Sequence, residues 1–410
     1  MSEKKPTLII GGGISGITAA VEIAETGNEV ILIEKEAYLG GNVVRMNNYF
    51  PKLCPPLCGL EINFKRIRQN PRIKYMVNTK VDQISGEKGS FIVKVTSLPS
   101  FIKNNCTACG KCVDACPEKR PDEFNYKMSE TKAIYLPHQG AFPMKYNIDQ
   151  KFCKKSSCAK CVEMCEYNAI DLEAKEISEN IEVKNIIIAT GWKNNDASQI
   201  KGLQYNRFPN VVTNVQFERI LDDEGPTGGR ILRPSDSEKP KDNTFIQCAG
   251  SRDENHLKYC SAVCCSATLK HALNIATVNP EVKVNIFYID LRVTGRNEDL
   301  LNKVIDQKNI KLIKGKVAKI EKAFQNDNMS VEAEDIMSGK IIKQNTEMVV
   351  LATGIIPSDP DFEIEKDQYG FILANDQSGI YPISCCKKPM DVSSSVKEAT
   401  GAALLAIQND

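Results

Sequence analysis

The feature that most narrows the fold lies at the start of the chain. An apolar run, Leu8-Ile9-Ile10, leads directly into Gly11-Gly12-Gly13-Ile14-Ser15-Gly16, and a helical pattern then continues to about Thr26. This is G-x-G-x-x-G between a strand and a helix. The glycines permit a tight turn, close approach of backbone to a pyrophosphate, and close packing of helix on strand. The amino terminus of the helix adds N–H groups and the positive end of its dipole. A second strand over 30–33 ends at Glu34, 18 residues past Gly16, where a carboxylate can accept ribose hydroxyls. Turn, helix and acid together specify a dinucleotide site in an α/β domain.

Further along, residues 72–98 alternate as strands, and from about 100 to 166 the texture changes to cysteine, lysine and short turns. NIIIATG (185–191) resumes the apolar strand pattern, and 222–243, rich in Pro, Gly and charge, reads as a linker. A second alternating block covers roughly 244–345, with strands at 245–247, 284–289 and 310–314. The MVVLATG strand (348–354) and a closing helix at about 392–407 return to the first texture. The expected order is a nucleotide domain in three parts (1–100, 171–240 and 346–410), a cysteine-rich insert (101–170) and a second nucleotide-type domain (241–345). ATG occurs twice, at 189–191 and 352–354, without an extended internal repeat.

The chain has 16 cysteines and three histidines (His138, His256, His271). The amino end runs straight into the first strand without a signal-peptide pattern, so a cytoplasmic location is expected. Cytosolic thiols stay reduced, so this density points to thiolate-held metal, either zinc or iron–sulfur, rather than to disulfides. Cys106-x2-Cys109-x2-Cys112-x3-Cys116-Pro117 has the spacing of a bacterial ferredoxin, and Cys153-x4-Cys158-x2-Cys161-x3-Cys165 is its second half. Crossed ligation assigns Cys106, Cys109, Cys112 and Cys165 to one [4Fe–4S] cluster. Cys153, Cys158 and Cys161 with Cys116 then hold the other.

In the second block, the first strand leads not into glycines but into Cys248-Ala249-Gly250-Ser251-Arg252-Asp253, and Cys260, Cys264 and Cys265 follow. Without glycines the backbone cannot come close to a pyrophosphate, which disfavours NAD(P)H there. Spacing alone does not separate a third cluster from unligated structural cysteines. Lys+Arg (53) nearly balance Asp+Glu (52), which suggests neither nucleic acid nor an anionic membrane surface. No run of about 18 apolar residues marks a transmembrane helix.

Glu34-Lys35 followed by Gly40-Gly41-Asn42, with the two ATG strands, resembles the FAD-binding thioredoxin-reductase-like flavoproteins. The implied fold is α/β, with two dinucleotide-binding domains and an inserted two-cluster ferredoxin domain. The implied FAD contacts are Gly11, Gly13, Ile14, Ser15, Gly16, Glu34, Lys35, Gly41, Asn42, Val81, Ala189, Thr190, Gly191, Gly354 and Asp391. For Asp391, capping the last helix competes with a contact to the ribityl chain.

CAGSRDE…YCSAVCC resembles the A-type flavoprotein of heterodisulfide reductase, which implies a third [4Fe–4S] cluster on Cys248, Cys260, Cys264 and Cys265. The segment NNYFPKLCPPLCGLEI (47–62) also resembles the shorter QmoA subunits of the quinone-interacting membrane-bound oxidoreductase. That resemblance implies an electron-transfer protein, held on the inner face of the cytoplasmic membrane by its partners. The partners it implies are a membrane haem subunit plus a second soluble iron–sulfur/flavin subunit. It also implies that electrons pass from menaquinol to adenylylsulfate reductase in dissimilatory sulfate reduction. The alternatives are an NAD(P)H-dependent disulfide reductase and a flavin-bifurcating heterodisulfide reductase subunit. Cys54, Cys58, Cys385 and Cys386 remain, and they read as buried or interface cysteines ahead of a redox-active dithiol.

Overall fold

The computed structural model describes residues 5–323, 328–375 and 377–408. Its first sheet has five parallel strands in the order Ile380–Pro382, Asn185–Ile188, Thr7–Ile10, Val30–Ile33 and Ile73–Met76. Three of these read TLII, VILI and NIII, near-continuous apolar runs, because a parallel sheet covered on both faces leaves no side to solvent. Alternate side chains go to opposite faces. Ile9, Leu32 and Ile187 meet the helices Ile14–Glu25 and Val392–Gln408 through Ile17, Ala20, Ala399 and Ala403. Leu8, Ile10, Ile33 and Ile188 meet an antiparallel sheet of Thr79–Glu87, Ser90–Ser97 and Ile177–Val183.

The second domain repeats this layering without repeating the sequence. Its five parallel strands run Val211–Thr213, Met348–Leu351, Asp242–Ile246, Lys283–Tyr288 and Ile310–Lys314. The helices Asn214–Ile220, Cys264–Val278 and Glu298–Ile305 cover one face through Phe217, Leu269, Ile275 and Val304. Strands Val317–Lys322, Met329–Asp335 and Lys340–Thr346 cover the other through Ile320, Val331 and Ala333.

These pairings move the expected boundaries. Strands 211–213 and 348–351, assigned from sequence to the first domain, belong to the second sheet. Two buried parallel sheets share one apolar texture, so texture could not tell which sheet a strand joins. Each ATG ends a strand of its own sheet. Just beyond them, Trp192–Asn194 and Ile355–Pro357 pair antiparallel where the chain crosses between domains. The stretch 222–241 carries no helix or strand.

In the insert, the short helices Lys111–Ala115 and Lys160–Glu163 each follow a left-handed residue, Gly110 (φ 88°) and Ala159 (φ 49°). Its core is small. Phe101, Ile102, Ile134, Ile148, Ile170 and Leu172 pack directly on the cysteines. An apolar core of this size is marginal without a staple.

Candidate functional site

The glycine turn opens on a cavity of about 1120 Å³ between the two domains, large enough for a dinucleotide. Gly11 is left-handed (φ +108°), and a Cβ there would lie 2.3 Å from Ala189 O. At Gly16 a Cβ would lie 1.9 Å from Gly11 O, so this glycine lets the helix sit on its strand. Gly13 differs: its nearest neighbour would be Gly41 Cα at 3.9 Å, and its open side forms part of the cavity wall. Glu34 is buried at the strand end, where Oε2 accepts the Gly12 N–H (2.7 Å) and Oε1 accepts the Glu36 N–H (2.9 Å). Burial pushes its carboxyl up to about 7, and the two N–H donors restrain the rise.

The cavity brings together Gly11, Gly13, Ile14, Ser15, Glu34, Lys35 and Val81 from the first strands. Gly41, Asn42, Ala189, Thr190, Gly191 and Asp391 complete the set on its wall. Gly16 lies behind the turn, and Gly354 lies in the second domain, where its N–H faces the Cys264 sulfur. That placement follows from the second ATG closing the second sheet. Asp391 caps the last helix, its Oδ1 accepting the Ser394 N–H at 2.7 Å, and it also lines the cavity. The residues present fit FAD. The cradle between Gly13 and Gly41 is open, and Asn214 on the wall has a buried Oδ1 without a partner.

Sequence reasoning missed two groups on this wall. Glu218 and Lys270 are buried and ion-paired, His271 Nε2 meets the same Glu218 oxygen at 2.7 Å, and Lys270 donates to Asn48 O at 2.8 Å. Burial would raise the Glu218 carboxyl, but Lys270 and His271 hold it down at about 2. The available signal was a Lys-His pair in the otherwise uncharged helix CCSATLKHALNIATV. The second group is Arg45, which donates to Tyr38 Oη (3.0 Å) and lies over the rings of Phe124 and Tyr126 at 5.6 and 5.4 Å. Arg219 caps Phe124 at 4.7 Å and donates to Asn125 Oδ1 at 2.8 Å. The insert is thereby clamped against the cavity.

The cysteines fall into three groups. Cys106, Cys109, Cys112 and Cys165 line one small cavity of the insert. Burial and the neighbouring Cys106 and Cys109 push the Cys112 thiol up to about 12. Burial, Cys153 and Cys116 push Cys161 up to about 11, so Cys116 sits with the second segment. In the second domain Cys248, Cys260, Cys264 and Cys265 act on one another, and burial followed by Cys248 and Cys260 raises Cys265 to about 11. Crowded thiols with raised pKa values need a cation to ionise together. Backbone N–H groups already point at several sulfurs: Lys155 at Cys153 (3.3 Å), Ala169 at Cys165 (3.3 Å), Ala262 at Cys260 (3.4 Å) and Arg292 at Cys265 (3.4 Å). Such donors are what iron–sulfur sulfurs accept. Among the described residues no three His, Cys, Asp or Glu side chains gather as a single-ion site. Cys54 and Cys385 face the flavin cavity, Cys386 is buried against Ile188 O (3.1 Å), and Cys58 is exposed.

The family model for FAD dependent oxidoreductases matches residues 7–76, and that for the 4Fe-4S binding domain matches 99–119. Thioredoxin reductase from T. acidophilum superposes over 99% of both chains with a TM-score of 0.55 at 14% identity, and that from Lactococcus lactis gives 0.53 at 13%. Those likenesses define the fold. The chain has a thioredoxin-reductase-like α/β fold, with an FAD dependent oxidoreductase match in its first part and a 4Fe-4S binding match in its insert. Along nearly all of its length it is similar to the A subunits of heterodisulfide reductases. The A-type component of H(2):CoB-CoM heterodisulfide,ferredoxin reductase from Methanothermobacter marburgensis is 34% identical over 97% of this chain. The A-type iron-sulfur component of CoB--CoM heterodisulfide reductase from Methanocaldococcus jannaschii is 33% identical over the same share. The chain spans 63% of the length of both relatives. No helix among the described residues is long and apolar enough to cross a membrane.

Proposed function

We propose that the chain is an electron-transfer subunit of a heterodisulfide-reductase-type complex, holding one FAD and three [4Fe–4S] clusters. The observation that carries this reading is the thiol group at the carboxyl end of the second sheet. Cys248 follows strand 242–246, and Cys264 opens the next helix. In a doubly wound sheet that crevice is where a pyridine nucleotide would put its phosphates. Thiolates there replace a hydride donor's site with a one-electron centre, which disfavours the NAD(P)H-dependent disulfide reductase.

Bound FAD supplies exchange between two-electron and one-electron steps, and clusters pass electrons singly. The residues of the chain do the rest. Gly11, Gly13 and the helix amino terminus hold the pyrophosphate, and Glu34 accepts the ribose hydroxyls. Asp391 and the amino terminus of helix 392–408 face the cavity with N–H groups that favour negative charge. Lys270, ion-paired with Glu218, also lines the cavity. The aromatic and guanidinium clamp fixes the insert beside the cavity.

A second reading sends electrons from menaquinol to adenylylsulfate reductase through a membrane haem protein. Segment 47–62 favours it, whereas the relatives matching along the chain favour the heterodisulfide reductase alternative. Stepwise anaerobic reduction with dithionite, followed by EPR and absorbance, tests the shared core. The expected result is three cluster signals and a bleached flavin, with the flavin left oxidised by NADPH. Rapid bleaching by NADPH would overturn the reading.

A further inference from the structure

The insert also shows where electrons can cross the surface. Among the cysteines of the three groups, Cys109 alone is exposed. Met164 and Tyr167 wall the same small cavity and leave 49% and 47% of their surface exposed. Val162, next to Cys161, is 38% exposed. Single exposed apolar side chains are ordinary, but these three fall within residues 162–167 and flank Cys161 and Cys165. Asn105 Nδ2 donates to Tyr167 O at 2.7 Å, which holds segment 103–105 beside them.

The two segments carry more lysine than acid. Across 101–117 and 151–168 there are six lysines, all exposed (Lys103, Lys111, Lys151, Lys154, Lys155, Lys160), against Asp114, Glu163 and Glu166. The balance is 6 − 3 = +3 on a chain whose total is +1. Lys111 pairs with Glu166 and Lys154 with Glu118, while Lys103, Lys151 and Lys160 carry no ion pair among the described residues.

We propose that this end of the insert, centred on Cys109, Met164 and Tyr167, docks a redox protein whose contact surface is acidic around a small apolar centre. The inference rests on the reading that the insert holds clusters. Electron transfer falls steeply with distance, so a partner gains most by contact where a cluster ligand reaches the surface. One electron leaves the reduced cluster beside Cys109 for the oxidised centre of the partner, or passes the other way, and no bond is made or broken. Charge complementarity steers such encounters and makes them sensitive to salt.

The test uses the purified holoprotein under anaerobic conditions and an acidic two-[4Fe–4S] ferredoxin as probe. Binding is measured by calorimetry and electron exchange by stopped flow. Lys103→Glu/Lys160→Glu should weaken binding at least tenfold at low ionic strength, and the gap should close in about 0.5 M salt. Met164→Ala should weaken binding in a salt-insensitive way. Iron, FAD content and reduction by dithionite should match the unaltered chain in both variants. Equal affinity of all three proteins, or no binding by the unaltered chain at low salt, overturns the proposal. A chain that binds the ferredoxin as described but contains no iron upholds the docking face and sinks the cluster reading instead.

Discussion

Replacing Gly16 with alanine tests the flavin turn without altering a cavity wall. The added Cβ would lie 1.9 Å from Gly11 O and 3.1 Å from Gly11 C, whereas ordinary contact begins near 3.4 Å. The helix Ile14–Glu25 must therefore retreat by about 1.5 Å (3.4 − 1.9), or the turn must open. Overpacking of this kind costs about 1–3 kcal/mol of stability. The retreat also carries the helix N–H groups away from the pyrophosphate, and an N–H···O bond of about 2.9 Å lengthened by that much is lost. Charge-assisted bonds contribute about 1.5–3 kcal/mol each. Losing two therefore takes roughly two to four decades off FAD affinity. Flavin absorbance per chain after desalting reads the affinity, and thermal melting of the flavin-free protein reads the packing. Gly13→Val is the companion: that backbone is extended (φ −73°, ψ −177°), and its Cβ position is open. Flavin should be lost while melting of the flavin-free protein is unchanged. Stoichiometric FAD in either variant would refute the site, and unchanged melting of Gly16→Ala would refute the packing argument.

Lys270→Met strands a buried carboxylate and should lower stability by about 3–5 kcal/mol at neutral pH, read as a lower denaturation midpoint. Because Glu218 is held down to about 2 from 4.5, its contribution is full above about pH 4.5 and is lost as pH falls from there to 2. The variant should flatten that acid limb, and an unchanged limb contradicts the pairing. Cys116→Ala should remove the cluster of the second segment, about four iron atoms, and spare the one beside Cys109, as EPR of the reduced protein can show. Loss of the Cys109 cluster instead would rule out crossed ligation. Cys264→Ala should remove the third cluster and keep FAD, since the glycine turn lies in the other domain; release of flavin would tie the two sites together.

How far the sequence could be read depended on whether the determinant was local. The strand–glycine–helix unit is local, so its residues, its acid at Glu34 and the bounds of the first and last helices were legible from spacing. The first ferredoxin register was legible for the same reason, and the 4Fe-4S binding match falls on it. The sheet membership of strands 211–213 and 348–351 was not, because that choice is made by pairing over more than 100 residues between runs of similar composition. Gly354 went astray with it. The Glu218–Lys270–His271 group was hidden because its partners come from separate helices and from the loop at 47–48. The Arg45 clamp was hidden likewise, since it joins the first domain to the insert. Only the Lys-His pair in an otherwise uncharged helix marked the first of these in advance.

The measurement that bears most directly on the account is the cofactor content of the protein, isolated anaerobically and assayed together for iron, acid-labile sulfide, zinc and flavin. The account predicts one FAD and about twelve iron atoms with matching sulfide per chain, from three groups of four cysteines. Zinc in place of iron, or a chain without flavin, would contradict it.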